Sequence, residues 1–262
     1  MEHINRSPHI FYLLLILIIP LSHSEPDLTA LVYHHCTNNQ PSTSTSMSET
    51  LSSLFEALIE ISTNSTFHRQ TTAQSGVPIS AEYQCRGDMS LRDCESCVTQ
   101  LGISSNRLCA GAKTGRVQLR GCYMRYEADG EEVKEGYGEL VHKECRERAA
   151  VAATGGGYDA ALWEVGEGIL RSGRGYFEAT NEGVRAVAQC EGALLGMGCD
   201  CAECVSRAVE MLREDCRGSL DGDVYLDGCY VTYTTYPLLG NLQIFLLKKK
   251  IIILKYHFHI YI

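Results

Sequence analysis

The sequence predicts an α+β protein made of two tandem copies of one disulfide-stapled domain, each copy with two helices packed on an antiparallel sheet of about five strands. Three observations predict it. Cysteine intervals repeat along the chain, apolar residues recur at helical spacing in matching places of the two halves, and alternating β-branched or aromatic runs fill much of the remainder.

The first element is a targeting segment. Arg6 precedes the apolar run Phe11 to Ile19, Pro20 breaks it, and the small residues Ser22 and Ser24 suit a signal-peptidase site. The run is well short of the roughly 18–20 residues needed to span a bilayer. Residues 1–24 are therefore expected to be a signal peptide, with the mature chain starting near Glu25. Export leads to an oxidising compartment, so the thirteen cysteines read first as crosslinks. Their number is odd, and at least one thiol lacks an intrachain partner.

The cysteine ladder defines the copies. Cys97, Cys109 and Cys122 are 12 and 13 residues apart, as are Cys204, Cys216 and Cys229. Each triplet follows a C-x2-C (Cys94 with Cys97, Cys201 with Cys204), a further cysteine (Cys85, Cys190) and an outlying one (Cys36, Cys145). Flanking residues repeat as well: Gln84-Cys85-Arg86-Gly87 matches Gln189-Cys190-Glu191-Gly192, and Tyr123 and Tyr126 match Tyr230 and Tyr233. The copies are placed at 28–128 and 137–237, joined through the short acidic stretch Ala128-Asp129-Gly130-Glu131-Glu132.

Within the first copy, Leu51, Leu54, Phe55, Leu58 and Ile59 fall on one helical face, with Ser48 placed to cap its start. The matching helix of the second copy runs from Asp159 to Leu170 around Trp163. After the second C-x2-C, Cys201, Cys204, Val205, Ala208, Met211 and Leu212 share one face, which turns both cysteines inward. Leu31 to His35, Thr66 to Thr72, Ala81 to Cys85, Arg116 to Leu119, Tyr123 to Glu127 and Tyr225 to Tyr233 read as strands.

A formal charge of −9 speaks against nucleic acid or anionic lipid as partner, since both call for clustered Lys and Arg. C-x2-C pairs can grip zinc or exchange disulfides, but here each is already explained by crosslinks. The nine histidines include His34-His35 and His257-x-His259, without a nucleophile elbow or an H-E-x-x-H motif. The acidic run Glu131-Glu132 with Glu135 reads as a solvated linker and not as a glycosidase pair. No enzyme activity, metal or cofactor is expected.

Cys85-x8-Cys94-x2-Cys97 followed by Cys109 and Cys122 resembles the plant ginkbilobin-homologous domain, also called domain of unknown function 26 or the stress-antifungal domain. Two such domains after a signal peptide resemble the cysteine-rich repeat secretory proteins and, within them, the plasmodesmata-located proteins. Ala30-Leu31-Val32-Tyr33 and Val224-Tyr225-Leu226-Asp227 favour the latter. The resemblance implies bridges Cys36 to Cys109, Cys85 to Cys94 and Cys97 to Cys122, then Cys145 to Cys216 and Cys204 to Cys229. The second copy departs from the pattern, with ten residues between Cys190 and Cys201 and an extra Cys199 at the eight-residue spacing. Either could bridge Cys190; the register counted back from Cys204 favours Cys201 and makes Cys199 the candidate free thiol.

The resemblance implies an extracellular recognition or signalling ectodomain at the cell surface, plasma membrane or plasmodesmata. Its partners would be other ectodomains or wall carbohydrate, and its role the regulation of cell-to-cell traffic and defence. The alternative is a secreted mannose-binding antifungal lectin. Carried over from the single-domain antifungal member, the mannose positions are Thr37, Arg116 and Glu127 in the first copy, with Thr in place of the usual Asn. The second copy has Arg146, Asp223 and Thr234, which do not fit. Arg116 and Glu127 could equally form an exposed cross-strand ion pair. Asn64-Ser65-Thr66 is a candidate N-glycosylation sequon on a polar turn.

Residues 238–262 form an atypical tail. Relatives of this type continue into a membrane-spanning helix, but here Lys248-Lys249-Lys250 interrupts the apolar runs Leu242 to Leu247 and Ile251 to Leu254. Lysines at mid-membrane cost roughly 2.5–3.5 kcal/mol each, so no credible span is expected. Membrane association, though usual for the family, gets no support from this tail.

Overall fold

The computed structural model describes residues 27–37, 45–73, 78–128, 138–148, 156–173, 175–192 and 198–236. The expected signal peptide at 1–24, the stretch 129–137 between the copies and the tail at 238–262 lie outside the described residues, and so do the expectations attached to them.

The first copy contains β1 (Leu31–Cys36), α1 (Thr45–Ser62), β2 (Phe67–Thr72), β3 (Ile79–Cys85), α2 (Leu91–Leu108), β4 (Thr114–Leu119) and β5 (Cys122–Ala128). The second contains β6 (Leu140–Arg148), α3 (Gly156–Ser172), β7 (Tyr176–Asn181), β8 (Val184–Cys190), α4 (Gly198–Asp215), β9 (Ser219–Leu226) and β10 (Cys229–Thr235). Both sheets are antiparallel, and their strand orders, β1-β4-β5-β3-β2 and β6-β9-β10-β8-β7, are the same order twice. The α+β repeat predicted from the cysteine ladder is the fold.

Helix and strand periodicities account for the core. On α1 the buried stripe is Leu51, Leu54, Phe55 and Leu58, and on α2 it is Cys94, Cys97, Val98 and Leu101. Ser90 caps α2 by accepting the Asp93 backbone N–H at 3.2 Å. Along β5, Cys122, Met124, Tyr126 and Ala128 face the helices and belong to one core cluster, while Tyr123, Arg125 and Glu127 face the other way. The buried tyrosines Tyr126 and Tyr233 do the same work in each copy: their hydroxyls donate to the carbonyls of Cys109 and Ala112, and of Cys216 and Ser219. These carbonyls lie beyond the ends of α2 and α4, where helical partners run out.

Several local expectations change. Ser48 does not cap α1, which begins at Thr45 and places Ser48 within its second turn. Trp163 lies on α3 but points to solvent, 57% exposed, as does Leu170 one heptad later. The run from Tyr225 to Tyr233 is two strands, because Asp227-Gly228 turns the chain between β9 and β10. Strands β6, β7 and β8 lack the clean aromatic alternation that marks the others. The β7–β8 hairpin is turned by Glu182 and Gly183, both with positive φ (42° and 83°).

Six bridges close the copies: Cys36–Cys109, Cys85–Cys94, Cys97–Cys122, Cys145–Cys216, Cys190–Cys201 and Cys204–Cys229. The two members of each C-x2-C therefore join different partners. Cys199 sits in the first turn of α4, and its side chain is outside the described residues. Among the described residues, no helix is long and apolar enough to cross a membrane.

The outer faces of the two sheets meet, and the repeated Gln-Cys-x-Gly explains how. Gln84 donates to the Cys190 carbonyl (3.2 Å) and accepts from the Gly192 N–H (2.9 Å). Gln189 donates to the Cys85 carbonyl (3.0 Å) and accepts from the Gly87 N–H (2.9 Å). This reciprocal set makes a pseudo-two-fold joint in which both buried amides are satisfied at each end. The two glycines admit the partner domain's rings: a Cβ on Gly87 would lie 2.5 Å from Tyr176 Cγ, and one on Gly192 would lie 2.2 Å from Phe67 Cε2.

Gly87→Ala is accordingly expected to destabilise the protein. Overpacking costs roughly 1–3 kcal/mol and outweighs the gain of about 0.4–1 kcal/mol from a stiffer unfolded chain. Urea midpoints of the two proteins provide the check, and an unchanged or higher midpoint would show that Tyr176 swings aside.

Candidate functional site

Beside the Gln-Cys-x-Gly joint a groove opens between the copies. Its cavity measures about 540 Å³ and draws on Tyr33 of β1, Glu82 of β3, Arg116 of β4 and Arg125 and Glu127 of β5. The second copy adds Glu139, Leu140, Val141, His142 and Asp227. The volume lies in the range of small-ligand sites, roughly 300–1,000 Å³.

Strand register sets the charged floor. Arg116 and Arg125 are directly opposed on β4 and β5, and Glu82 opposes Arg125 on β3, so their side chains emerge together on the face away from the helices. Arg125 Nε donates to Glu82 Oε1 at 2.8 Å, and the Tyr123 hydroxyl donates to the same oxygen at 3.0 Å. Arg116 crosses to the other copy, where it donates to Glu191 Oε1 and lies 3.7 Å from Asp227 Oδ1. Its guanidinium sits 4.9 Å from the ring centre of Tyr123 and 5.8 Å from that of Tyr33. Tyr33 in turn stacks on His142, centres 5.5 Å apart.

Burial and ion pairing act against each other in the electrostatics of the groove. Burial would lower the affinity of Arg116 for its proton, but the charge of Glu191, with Tyr33 and Tyr123 adding, outweighs it and holds the group well above its ordinary value. Desolvation pushes the Tyr33 hydroxyl up to about 12, against the opposing charge of Arg116. Arg116 is therefore a permanent cation and Tyr33 a permanent donor across the physiological range. Arg116 Nε, Glu82 Oε2 and His142 Nε2 are buried and have no hydrogen-bond partner among the described residues. The groove is lined by cationic, anionic and aromatic side chains, beside the exposed apolar rim of Leu140 and Val141.

The residues carried over from the single-domain lectin pattern are brought together only in part. Arg116 and Glu127 both line the groove, whereas Thr37 stands outside its lining and shares a 2.6 Å hydroxyl contact with Thr114. The cross-strand pair between Arg116 and Glu127 does not form: Arg116 is taken by Glu191, and Glu127 lies 3.4 Å from Arg69 Nη2. The equivalent positions Arg146, Asp223 and Thr234 come together at a smaller crevice on the opposite side of the joint, with Arg146 donating to Asp223. Asn64 is exposed on the turn after α1, its amide donating to Thr63 Oγ1 at 2.7 Å.

Glu191, Glu82, Tyr33 and His142 carry the groove but escape a reading of the sequence. Glu191 alone had a signal, its place in the repeated Gln-Cys-x-Gly. Glu82 is engaged within its own sheet by Arg125 and Tyr123, whereas Tyr33 and His142 meet across the domain boundary.

A family model described as salt stress response/antifungal matches residues 35–129 and 144–236. Among curated relatives, plasmodesmata-located protein 2 of Arabidopsis thaliana is 36% identical over 214 residues, covering 80% of this chain and 68% of that one. Plasmodesmata-located protein 4 of the same plant is 30% identical over 259 residues, covering 86% and 80%. Among solved structures, the tandem DUF26 ectodomain of the Arabidopsis thaliana cysteine-rich receptor-like protein PDLP5 is similar with a TM-score of 0.67 at 25% identity, covering 79% of this chain and all of that one (100%).

Proposed function

The chain belongs to the salt stress response/antifungal family, and from that premise we propose that it is a non-enzymatic extracellular recognition ectodomain that regulates cell-to-cell traffic and takes part in defence. The likeness to plasmodesmata-located proteins over most of both chains supports the location, and six disulfides suit an oxidising compartment. The observation that carries the reading is the interdomain groove, whose ligand-facing groups come from both copies at once. The buried glutamines that bond across the joint hold the two halves of such a site against each other.

Its partners would be another ectodomain or wall carbohydrate. A fluorescent fusion of the full chain is expected to give a punctate or peripheral wall signal. Diffuse cytosolic fluorescence, with neither secretion nor wall puncta, would overturn the proposal.

A mannose-binding lectin is the second reading, favoured by the presence of Arg116 and Glu127 in one groove. Against it, the Arg116 guanidinium is already committed to Glu191, and Thr37 offers no amide. Titration with mannose separates the two. Saturable millimolar or tighter binding that Glu127→Ala abolishes supports the lectin, and absence of binding supports the first reading.

A further inference from the structure

The pseudo-two-fold axis relates the open groove to the crevice on the opposite side of the joint, but the charges it relates are inverted. At the first groove the second copy supplies Asp227, at the β9–β10 turn and in the lining, and the buried Glu191, the residue after Cys190, which pairs with Arg116. Into the crevice the first copy sends Arg86 and Arg120, from the matching places after Cys85 and at the β4–β5 turn. The second copy adds Arg146 from β6 and Arg185 from β8. Four guanidinium groups from four separate segments therefore converge on one crevice, with Asp223 as the sole carboxylate in its lining among the described residues.

Cationic side chains gathered this way repel one another, and the surrounding carboxylates quiet three of the four. Arg86 makes a two-point contact with Asp88 (2.6 and 2.9 Å). Arg185 makes one with Glu178 (both 2.7 Å) and also reaches Asp88 at 3.1 Å. Arg146 pairs with Glu144 at 2.7 Å and with Asp223. These contacts fix the guanidinium planes yet leave each group at least one N–H over, since a guanidinium has five. The Arg120 guanidinium has no hydrogen-bond partner among the described residues, and no described group engages the hydroxyls of Thr232 and Thr234, which also line the crevice. Unused donors, on a frame held by ion pairs, are what an oxyanion requires.

Size limits the ligand. The crevice holds about 50 Å³, against roughly 10–15 Å³ for a single water, so it takes one compact group and not a sugar ring. We propose that the crevice between Arg86, Arg120, Arg146 and Arg185 is a site for one oxyanion, a carboxylate or a phosphoryl group, carried by a ligand whose remainder stays outside. Among the described residues, four guanidinium groups against one carboxylate in its lining set this crevice apart from the first groove, whose lining mixes three arginines with four carboxylates. The assignment does not depend on the proposed function, which rests on the first groove.

The test titrates the full secreted chain at fixed ionic strength with sodium phosphate, with sodium galacturonate and with neutral galactose, read by isothermal calorimetry and by the shift in melting temperature. Saturable binding of one or both anions and none of galactose is expected, and which anion binds tells a phosphoryl from a carboxylate source. Arg120→Ala should weaken the anion about tenfold or more, the loss of a charged hydrogen-bond donor, while leaving the melting temperature without ligand unchanged. Arg69→Ala, in the first groove, should leave anion binding as it is. Failure of both anions to saturate, or equal weakening by the two variants, would overturn the site.

Discussion

Glu191→Ala is expected to destabilise the folded chain by about 3–5 kcal/mol, the cost of stranding a buried cation. The side chain of Arg116 is only 11% exposed and that of Glu191 only 6%, so neither can recruit water freely when its partner goes. Asp227, 3.7 Å from the guanidinium, recovers part of the loss and places the expected value toward the lower end. Glu191→Gln keeps an acceptor and should fall between the two. Urea unfolding measures the effect, and a loss below about 1 kcal/mol, the worth of an exposed pair, would show that the groove floor is wet. Replacing both members by apolar residues, Arg116→Met with Glu191→Leu, should recover much of the stability. The interface would then be kept and the buried Arg116–Glu191 ion pair lost, which separates the pair's role in recognition from its role in holding the copies together.

The second large effect concerns the bridges. Removing Cys145–Cys216 by a double Cys→Ala substitution is expected to cost about 4.4 kcal/mol on the chain-entropy scale, because its ends are 71 residues apart. The same change at Cys190–Cys201, 11 residues apart, should cost about 2.8 kcal/mol. Cys145–Cys216 also fastens edge strand β6 to the residue after α4, and β6 carries His142 into the groove. Loss of this bridge is therefore expected to loosen the groove before the core. Thermal unfolding of the two variants ranks them; the reverse order would mean that local geometry outweighs loop length.

Acidification adds a smaller expectation around the joint. Burial raises the Asp88 carboxyl, but the hydrogen bonds and charge of Arg86 outweigh it and leave the group below its ordinary value. Glu178, hydrogen-bonded foremost by Arg185, is also held low. Both bind fewer protons in the folded than in the unfolded chain near pH 4, so their stabilisation is complete above that pH and is lost as pH falls through the folded values. Asp223, raised by burial despite Arg146, acts in the opposite sense. Urea midpoints at pH 5.5 and pH 3 should show the net loss on the acid side, with the low-pH loss reduced in Asp88→Asn.

How far the sequence reads depends on whether a signal is local or spans the joint. The spacing of Cys97, Cys109 and Cys122, echoed by Cys204, Cys216 and Cys229, reports one helix and one hairpin at a time, and each can be seen within a window of a few turns. The same holds for Leu51, Leu54, Phe55 and Leu58, whose common face is buried as periodicity requires. Strands β7 and β8 were hidden because inward positions are filled by small residues, Ala179, Ala186 and Ala188, which pack well but carry no strong alternation, and the residues of β6 from Leu140 to Arg146 bury no side chain fully.

Arg116 shows the limit most clearly. Along the chain it is a strand residue two places from a threonine and opposite another arginine, and a surface pairing with Glu127 is the natural local reading. Its actual partner, Glu191, is 75 residues away and belongs to the other copy. By itself, then, the order of residues determined two self-contained, crosslinked α+β domains, because helical period, strand period and cysteine spacing are all short-range properties. Only the tertiary arrangement decided how the outer face of each sheet would be covered, where the groove would open and on which side of the joint the four arginines would gather. Those follow from how two separately specified surfaces meet, and no interval along the chain encodes that distance.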